Sequence, residues 1–578
     1  MRAPRLPEAI PELASTPTRR AADVLVDILA QAGIEVVFGL PGGPISPVHD
    51  ALMDRPDIKV VTTRHESGAL FAAAGYAHTT GRLGVAMVTS GPGILNAMTG
   101  LASAWCDGLP VLLLVGEVPR KVHGKGALQD GSSYGLNIIG MASHITKMAC
   151  EVPEATQLPL LLRRGIATAL SGRRGPVVLT LPMDVSNAQI APPRICADVT
   201  LGCAVSTVCL DEIAALLEFS SRPLILAGSG VRGGVAPLRL RQVAERLECP
   251  VVTTPKAKGV FPEDHPLALG VFGIGGHPSA RAYLEGGIDV LIAIGSSLGD
   301  LSTDGWTPML QAPRALVHVD IDAKQIGKSY APTHAVVASA DEFLGGLLER
   351  IRATRRTPVG GGIVRHDLPP SKQSAKIAPH DALAEIQEVL AADTIYTVDS
   401  GEHFLFATHY LRTTVSDAYV VMTGLGSMGQ SIGAAIGAQI ARPERTVAAI
   451  CGDGCFAMNA FEVATAVSER LPIVVFVFND QRLGMVEIGH QAVYGRKPEY
   501  PIAMDVCQLA AGLGAEVLRV ERPGDLRAAA DMLKRRKGPV VVDVCIDPDV
   551  RLPKKDRMGA FAPKPEPTTP GPKLRAVT

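Results

Sequence analysis

Short, unbroken apolar runs recur along the chain, each followed by a stretch of helical periodicity. "EVVFGL", "KVVTTR", "GVAMVTS", "PVLLLVG" and "GPVVLTLP" lie in the first third. "PLILAG", "PVVTTP", "DVLIAIG" and "ALVHVDID" follow, and then "TIYTVD", "TVAAICG", "PIVVFVFN" and "GPVVVDVCI". A strand with one wet face alternates apolar and polar residues. A run without alternation must be buried on both faces, as in a parallel sheet covered by helices. Strand–helix alternation of this kind predicts three doubly wound, parallel-sheet α/β domains. They are expected at residues 21–192, 205–352 and 378–550. "IAPPR" near Pro192 and the Gly- and Pro-rich "ATRRTPVGGGIVRHDLPPSKQ" make plausible joints. Residues 1–20 read as a disordered polar arm, and 551–578 as a Pro-rich tail.

Composition narrows the function classes. The 578 residues carry 56 basic and 57 acidic side chains, so no basic face for nucleic acid is expected. No apolar run reaches the roughly 18 residues that span a membrane, and the N-terminus lacks a signal-peptide core. The ten cysteines form no CxxC pair and read as buried thiols of a reducing cytoplasm.

The chemistry concentrates in "AAICGDGCFAMNAFEVATAVSERLPIVVFVFNDQRLGM", Ala448 to Met485. "TVAAIC" predicts a strand, "GDG" a turn, "AMNAFEVATAVSER" a helix and "PIVVFVF" the next strand. That is one βαβ unit of about 30 residues, whose strands run parallel. Asp453 and Asp480, 27 residues apart, then both lie at carboxyl ends of strands, on the sheet edge where doubly wound folds bind ligands. Hard oxygen donors beside phosphate oxygens suit Mg²⁺. The glycines around Asp453 let a phosphate approach the backbone. A tight turn whose Asp merely caps a helix explains "GDG" alone. It does not explain the spacing to the terminal "ND".

These residues resemble the signature of the thiamine diphosphate (ThDP) enzymes: GDG, about two dozen residues, then an Asn pair. Here the pair is Asn479-Asp480, with Asp in the second position. The resemblance implies Mg²⁺ on Asp453, Asp480 and the backbone carbonyl of Arg482. It also implies a pyrimidine-binding first domain, a Rossmann-like central domain and a diphosphate-binding third domain. "RHE" in the first domain matches the family pattern and puts Glu66 against the aminopyrimidine. "TSGPGILN" supplies Pro92 and Asn96.

Within the family the chain looks most like the acetolactate synthase group. "FGLPGGPISPVHDAL" places Gly43 at the active site, and Gln129 in "GALQDG" matches the Gln that faces substrate. "SGEHF" brings Glu402 and His403 to the diphosphate, where the group usually has Gln-His. "GLGSMG" brings Gly426 to the 4′-amino group and Met428 under the bent cofactor. Gly452, Gly454, Cys455, Gly484 and Met485 complete the expected cofactor contacts. Three further features depart from the group. Gly489 stands where biosynthetic members carry a Trp that selects the second keto acid. The loop "DGSSYGLNIIGMASH" is longer. Ser297 in "IGSSLGD" replaces an Arg expected in the FAD-binding central domain. "GSGVRGG" holds a GxGxxG at Gly228, Gly230 and Gly233, which is weak alone. The expectation is a spacer domain, with FAD binding as the alternative.

The resemblance implies decarboxylation of a 2-oxo acid, pyruvate first, and then carboligation of the remaining carbanion equivalent to a second carbonyl. The alternative is a non-ligating decarboxylase of the benzoylformate or acyl-CoA type. No His-His dipeptide, the proton-delivering pair of pyruvate decarboxylases, occurs here. A cytoplasmic homodimer or homotetramer with active sites shared between chains is expected.

Overall fold

The computed structural model describes residues 18–191, 206–354, 356, 362–371 and 376–553. The expected joint near Pro192, most of the N-terminal arm and most of the Pro-rich tail lie outside these residues. Where it is described, the arm departs from expectation. Arg19–Arg20 pairs antiparallel with Gln189–Ile190, and Arg20 bridges Asp23 and Asp50.

Three six-stranded sheets carry the chain, and every strand pair within them is parallel. The first runs, edge to edge, Lys59–Thr62, Val36–Gly39, Gly84–Val88, Val111–Glu117, Val177–Pro182, Met148–Glu151. The third runs Tyr419–Val421, Ile395–Val398, Val447–Gly452, Val474–Asn479, Val540–Cys545, Glu516–Val520. Numbered along the chain, both have the order 2-1-3-4-6-5. The central sheet has the order 3-2-1-4-5-6, from Ala268–Val271 through Pro223–Ala227 to His334–Val337. The order reverses between strands 1 and 3 in the outer sheets and between strands 1 and 4 in the central one. A crevice opens at the carboxyl ends there.

The first and third domains share one apolar core. Helix Glu66–Thr80 of the first and helix Ser431–Ala441 of the third are buried almost all round. Only glycine allows their approach. A Cβ on Gly75 would overlap the Ala434 carbonyl, and one on Gly437 the Ala72 carbonyl. Glu462 of the third domain accepts hydrogen bonds from the Arg64 and His65 amides at 3.1 and 2.9 Å. This seats the start of the Glu66 helix on its neighbour.

The central domain meets the third through imidazoles. His409, on helix Glu402–Tyr410, stacks between His277 and His366 with ring centroids 4.9 and 5.0 Å away. Its Nδ1–H donates to the Gly276 carbonyl at 2.9 Å, and its Nε2 accepts from the His366 amide at 2.9 Å. Both nitrogens are used, so the ring is neutral. Burial, reinforced by His366, holds its pKa down at about 4. An unfolded His binds its proton near pH 6.5. Stability from this ring is therefore complete above about pH 6.5 and is lost as pH falls towards 4. The linkage is on the order of 3 kcal/mol. Urea unfolding between pH 7 and 4.5 is expected to show a slope that His409→Asn flattens. Equal slopes would remove His409 as the cause.

One helix differs from expectation. The turn at "GDG" is already helical: Asp453–Asn459 begins at the aspartate itself, and Glu462–Ser468 follows. Between them Ala460 (−57°, −28°) and Phe461 (−60°, −21°) keep tight 3₁₀-like dihedrals, so the helix is bent there rather than ended. Among the described residues no helix is long and apolar enough to cross a membrane.

Candidate active site

A cavity of about 200 Å³ opens where the third sheet reverses order. The segment after Ile395–Val398 forms one wall with Ser400 to His403, and the segment after Val447–Gly452 forms another with Asp453 to Cys455. Asp480 and Arg482, following Val474–Asn479, and Gly484 and Met485, opening helix Gly484–Tyr494, close the far side. Gly426, Met428 and Gly452 also line it, so all twelve residues expected from this domain meet in one place.

The electrostatics of this cavity fit a divalent cation. Asp453 and Asp480 are both largely buried and share the site. Burial first, and then the charge of Asp480, pushes the Asp453 carboxyl up to about 7. Burial raises Asp480 as well, and the Arg482 guanidinium opposes that rise. Two carboxylates that resist joint ionisation gain most from a cation between them. Arg482 Nε donates to Asp480 Oδ2 at 3.1 Å, which pairs the extra charge that Asp480 brings relative to Asn. The Arg482 amide donates to Asp453 Oδ2 at 3.1 Å and ties the two strand ends together. A Cβ on Gly484 would stand 2.8 Å from Asp480 Oδ2, so the glycine keeps that oxygen accessible.

The rest of the wall fits a phosphate-bearing ligand. The His403 ring is wedged between Gly401 and Gly452, where a Cβ would crowd it. Burial lowers its pKa to about 4. Its Nε2 is buried without a hydrogen-bond partner. Phosphate oxygens would supply that partner, and their charge would raise its proton affinity. Glu402 Oε2 pairs with Arg551 at 2.9 Å, fixing the start of its helix. Met428 lies 3.2 Å from a Cβ placed on Gly454, so its thioether packs against the GDG turn. Cys455 donates to the Ser400 carbonyl at 3.1 Å, and burial drives its thiol far up, making it an inert wall residue.

Two residues that shape this site escaped the sequence reading. Asp399, wholly buried, accepts from the amides of Gly429 and Ser431 at 2.9 Å each and so holds the "GLGSMG" loop. It closes the apolar run "TIYTVD", the same signal that singled out Asp453 and Asp480. Arg551 lines the cavity from beyond the last strand, with no motif around it.

The first-domain residues form a second group, none of which lines that cavity. Glu66 opens its helix and is 9% exposed; Asn96 Nδ2 donates to its Oε2 at 3.0 Å. Pro92 begins helix Pro92–Asp107. Gln129 has φ +64° and packs against Gly91, which itself has φ +60°. Gly43 starts a turn at the end of Val36–Gly39, with nothing within 4 Å of a Cβ placed there. Gly43, Pro92 and Asn96 thus follow strands 1 and 3 of the first sheet, its own point of reversal. In the central domain the glycines of GxGxxG do other work. Gly228 and Gly230 press against the Gly295 backbone, and the helix starts only at Ala236. The fingerprint needs a helix opening at the glycines, and this turn lacks one.

Two outer domains with a shared strand order, one holding paired carboxylates at its crevice and the other a buried Glu and Asn, define a thiamine pyrophosphate enzyme. Family models agree: residues 19–135 match the N-terminal TPP-binding domain, 210–347 the central domain and 399–544 the C-terminal TPP-binding domain. The chain belongs to the thiamine pyrophosphate enzyme family. Within it the chain is similar to acetolactate synthase large subunits. It is 35% identical to a probable one from Methanocaldococcus jannaschii, over 92% of this chain and 93% of that one. It is 32% identical to the isozyme 1 large subunit of Escherichia coli, over 93% and 96%. It is 34% identical to the large subunit IlvB1 of Mycobacterium tuberculosis, over 92% and 88%.

Proposed function

We propose that the chain is a ThDP- and Mg²⁺-dependent carboligase that decarboxylates a 2-oxo acid, pyruvate in the first instance, and joins the remaining fragment to a second carbonyl. The observation that carries it is the buried pair Asp453 and Asp480 beside His403, in a cavity otherwise walled by groups such as Met428, Leu483 and Met485. When bound, the cofactor supplies the carbon nucleophile and the electron sink.

This chain's residues hold and steer it. Asp453, Asp480 and the Arg482 carbonyl would take the metal, and His403 the diphosphate. Met428 would support the ring, and Gly426 would receive the amino group. His403, the one histidine among the cavity's lining residues, is taken up by the diphosphate in this reading, so no lining imidazole is left to deliver a proton, which favours ligation over release of an aldehyde. The apolar wall keeps water from competing.

Glu66, Gln129 and Gly43 come to the site from a second copy of the chain in this proposal, as a homodimer or homotetramer. Its support is that the cavity's lining runs only from Pro379 to Arg551. The central domain serves as a spacer, because its Gly turn is filled by Gly295. Purified protein with the yellow absorbance of FAD would overturn that assignment.

Product analysis with pyruvate, ThDP and Mg²⁺ tests the reaction. Acetolactate, or a mixed acyloin when an aldehyde is added, is the expected product. Free aldehyde with CO₂ alone would favour the non-ligating reading. One observation bears on the acceptor: a Cβ on Gly489 meets nothing within 4 Å, so the helix face there is open. Gly489→Trp is expected to fill that space and raise the preference for 2-ketobutyrate over pyruvate as acceptor. An unchanged product ratio would remove Gly489 from the specificity argument.

A further inference from the structure

We propose that Glu117, His123 and Asp130 form a second divalent-cation site, suited to Zn²⁺, on the first domain and independent of the cofactor chemistry. Each offers one ligand atom, and the three atoms lie within 4.8 Å of one another. Glu117 ends the buried strand Val111–Glu117, and His123 and Asp130 lie on the loop that follows it.

The three groups are oriented as ligands are. Glu117 is 1% exposed; its Oε1 accepts from the Val118 and Gly131 amides at 2.8 and 3.1 Å, while Oε2 is buried with no partner. An unpartnered carboxylate oxygen in that position costs stability unless a cation or proton meets it. His123 Nε2 lies 3.0 Å from the Val118 carbonyl. A carbonyl only accepts, so Nε2 carries the hydrogen and Nδ1 keeps its lone pair. This is the arrangement of a metal-bound imidazole, whose other N–H is held by a backbone carbonyl. Asp130 is 8% exposed and is pinned by the Gly124 and Ser132 amides at 2.7 and 3.0 Å, with lone pairs to spare on both oxygens.

The surrounding charge is unbalanced. Glu151 stands within electrostatic reach of His123 and Asp130. Arg120, which also acts on Glu151, is engaged by Asp184 at 2.9 Å and by the Pro153 carbonyl. One imidazole and two carboxylates make a mixed N,O set of the kind that takes Zn²⁺ with water in the open position. A cation there would tie the end of the strand to the loop carrying Gln129, next in sequence to Asp130.

The test uses the full chain saturated with ThDP and Mg²⁺, equilibrated with Zn²⁺ and assayed for bound metal. One Zn²⁺ per chain is expected, lost in Glu117→Gln and in His123→Gln. The second variant alters a half-exposed turn residue, so it keeps the test decisive if the first fails to fold. Co²⁺ in place of Zn²⁺ is expected to give a weak visible spectrum without thiolate charge-transfer bands. No uptake, equal uptake by His123→Gln, or thiolate bands from the cysteines would each overturn the proposal.

Discussion

Replacing Glu66 with glutamine is expected to lower turnover by about 10²–10⁴ while leaving cofactor affinity nearly unchanged. The amide has the size of the carboxylate, and its oxygen can still accept from Asn96 Nδ2, which now stands 3.0 Å from Oε2. The fold is therefore preserved. What disappears is a group that can give and take a proton at the pyrimidine ring. The measurement is steady-state turnover alongside ThDP affinity by calorimetry. Full activity would sink the role proposed for Glu66. Lost activity with lost cofactor binding would show a binding residue instead.

Asp453→Ala is expected to weaken Mg²⁺-dependent ThDP binding by more than about 100-fold. Outer partners of metal ligands commonly cost 10–100-fold, and a direct ligand should exceed them. The alanine also frees the Arg482 and Gly454 amides, which the carboxylate now accepts at 3.1 and 2.8 Å. Asp453→Asn separates the two effects, because it retains an acceptor but loses the charge. Calorimetry with and without Mg²⁺ reads both; equal affinity in either variant would exclude Asp453 as ligand. Mixing inactive Glu66→Gln chains with inactive Asp453→Ala chains tests the shared site. Mixed dimers hold one intact site, so activity should return towards a quarter of the wild-type level if chains re-pair at random and every dimer carries two sites. No recovery on re-pairing would show that each site is built within one chain.

The strands visible in the sequence and those missed by it differ in one respect. All thirteen apolar runs are strands in the structure. The five strands of the three large sheets that it did not reveal are Met148–Glu151, Ala268–Val271, His334–Val337, Tyr419–Val421 and Glu516–Val520, and each is at the edge of its sheet. An edge strand has one neighbour and part of its surface in water, so it needs no continuous apolar run. Met148–Glu151 is half-buried throughout, and Glu516–Val520 buries only Val520. Tyr419–Val421 is buried but only three residues long.

The same division holds for the site. That Asp453 and Asp480 share a sheet edge is a local consequence of one βαβ unit, whose handedness leaves a single outcome. Sequence alone therefore placed Asp453 and Asp480 together at one sheet edge and determined the doubly wound fold class. Strand order, by contrast, depends on how separate units pack. Only the tertiary structure decided that the outer sheets share one order, that Asp399 holds the loop bearing Met428, and that Arg551 pairs with Glu402. It also decided that Glu66 lies outside the cavity of its own chain. Those facts rest on contacts between residues tens to hundreds of positions apart, set by which glycines allow helices to touch and which buried charges find partners. A linear pattern carries no record of such meetings.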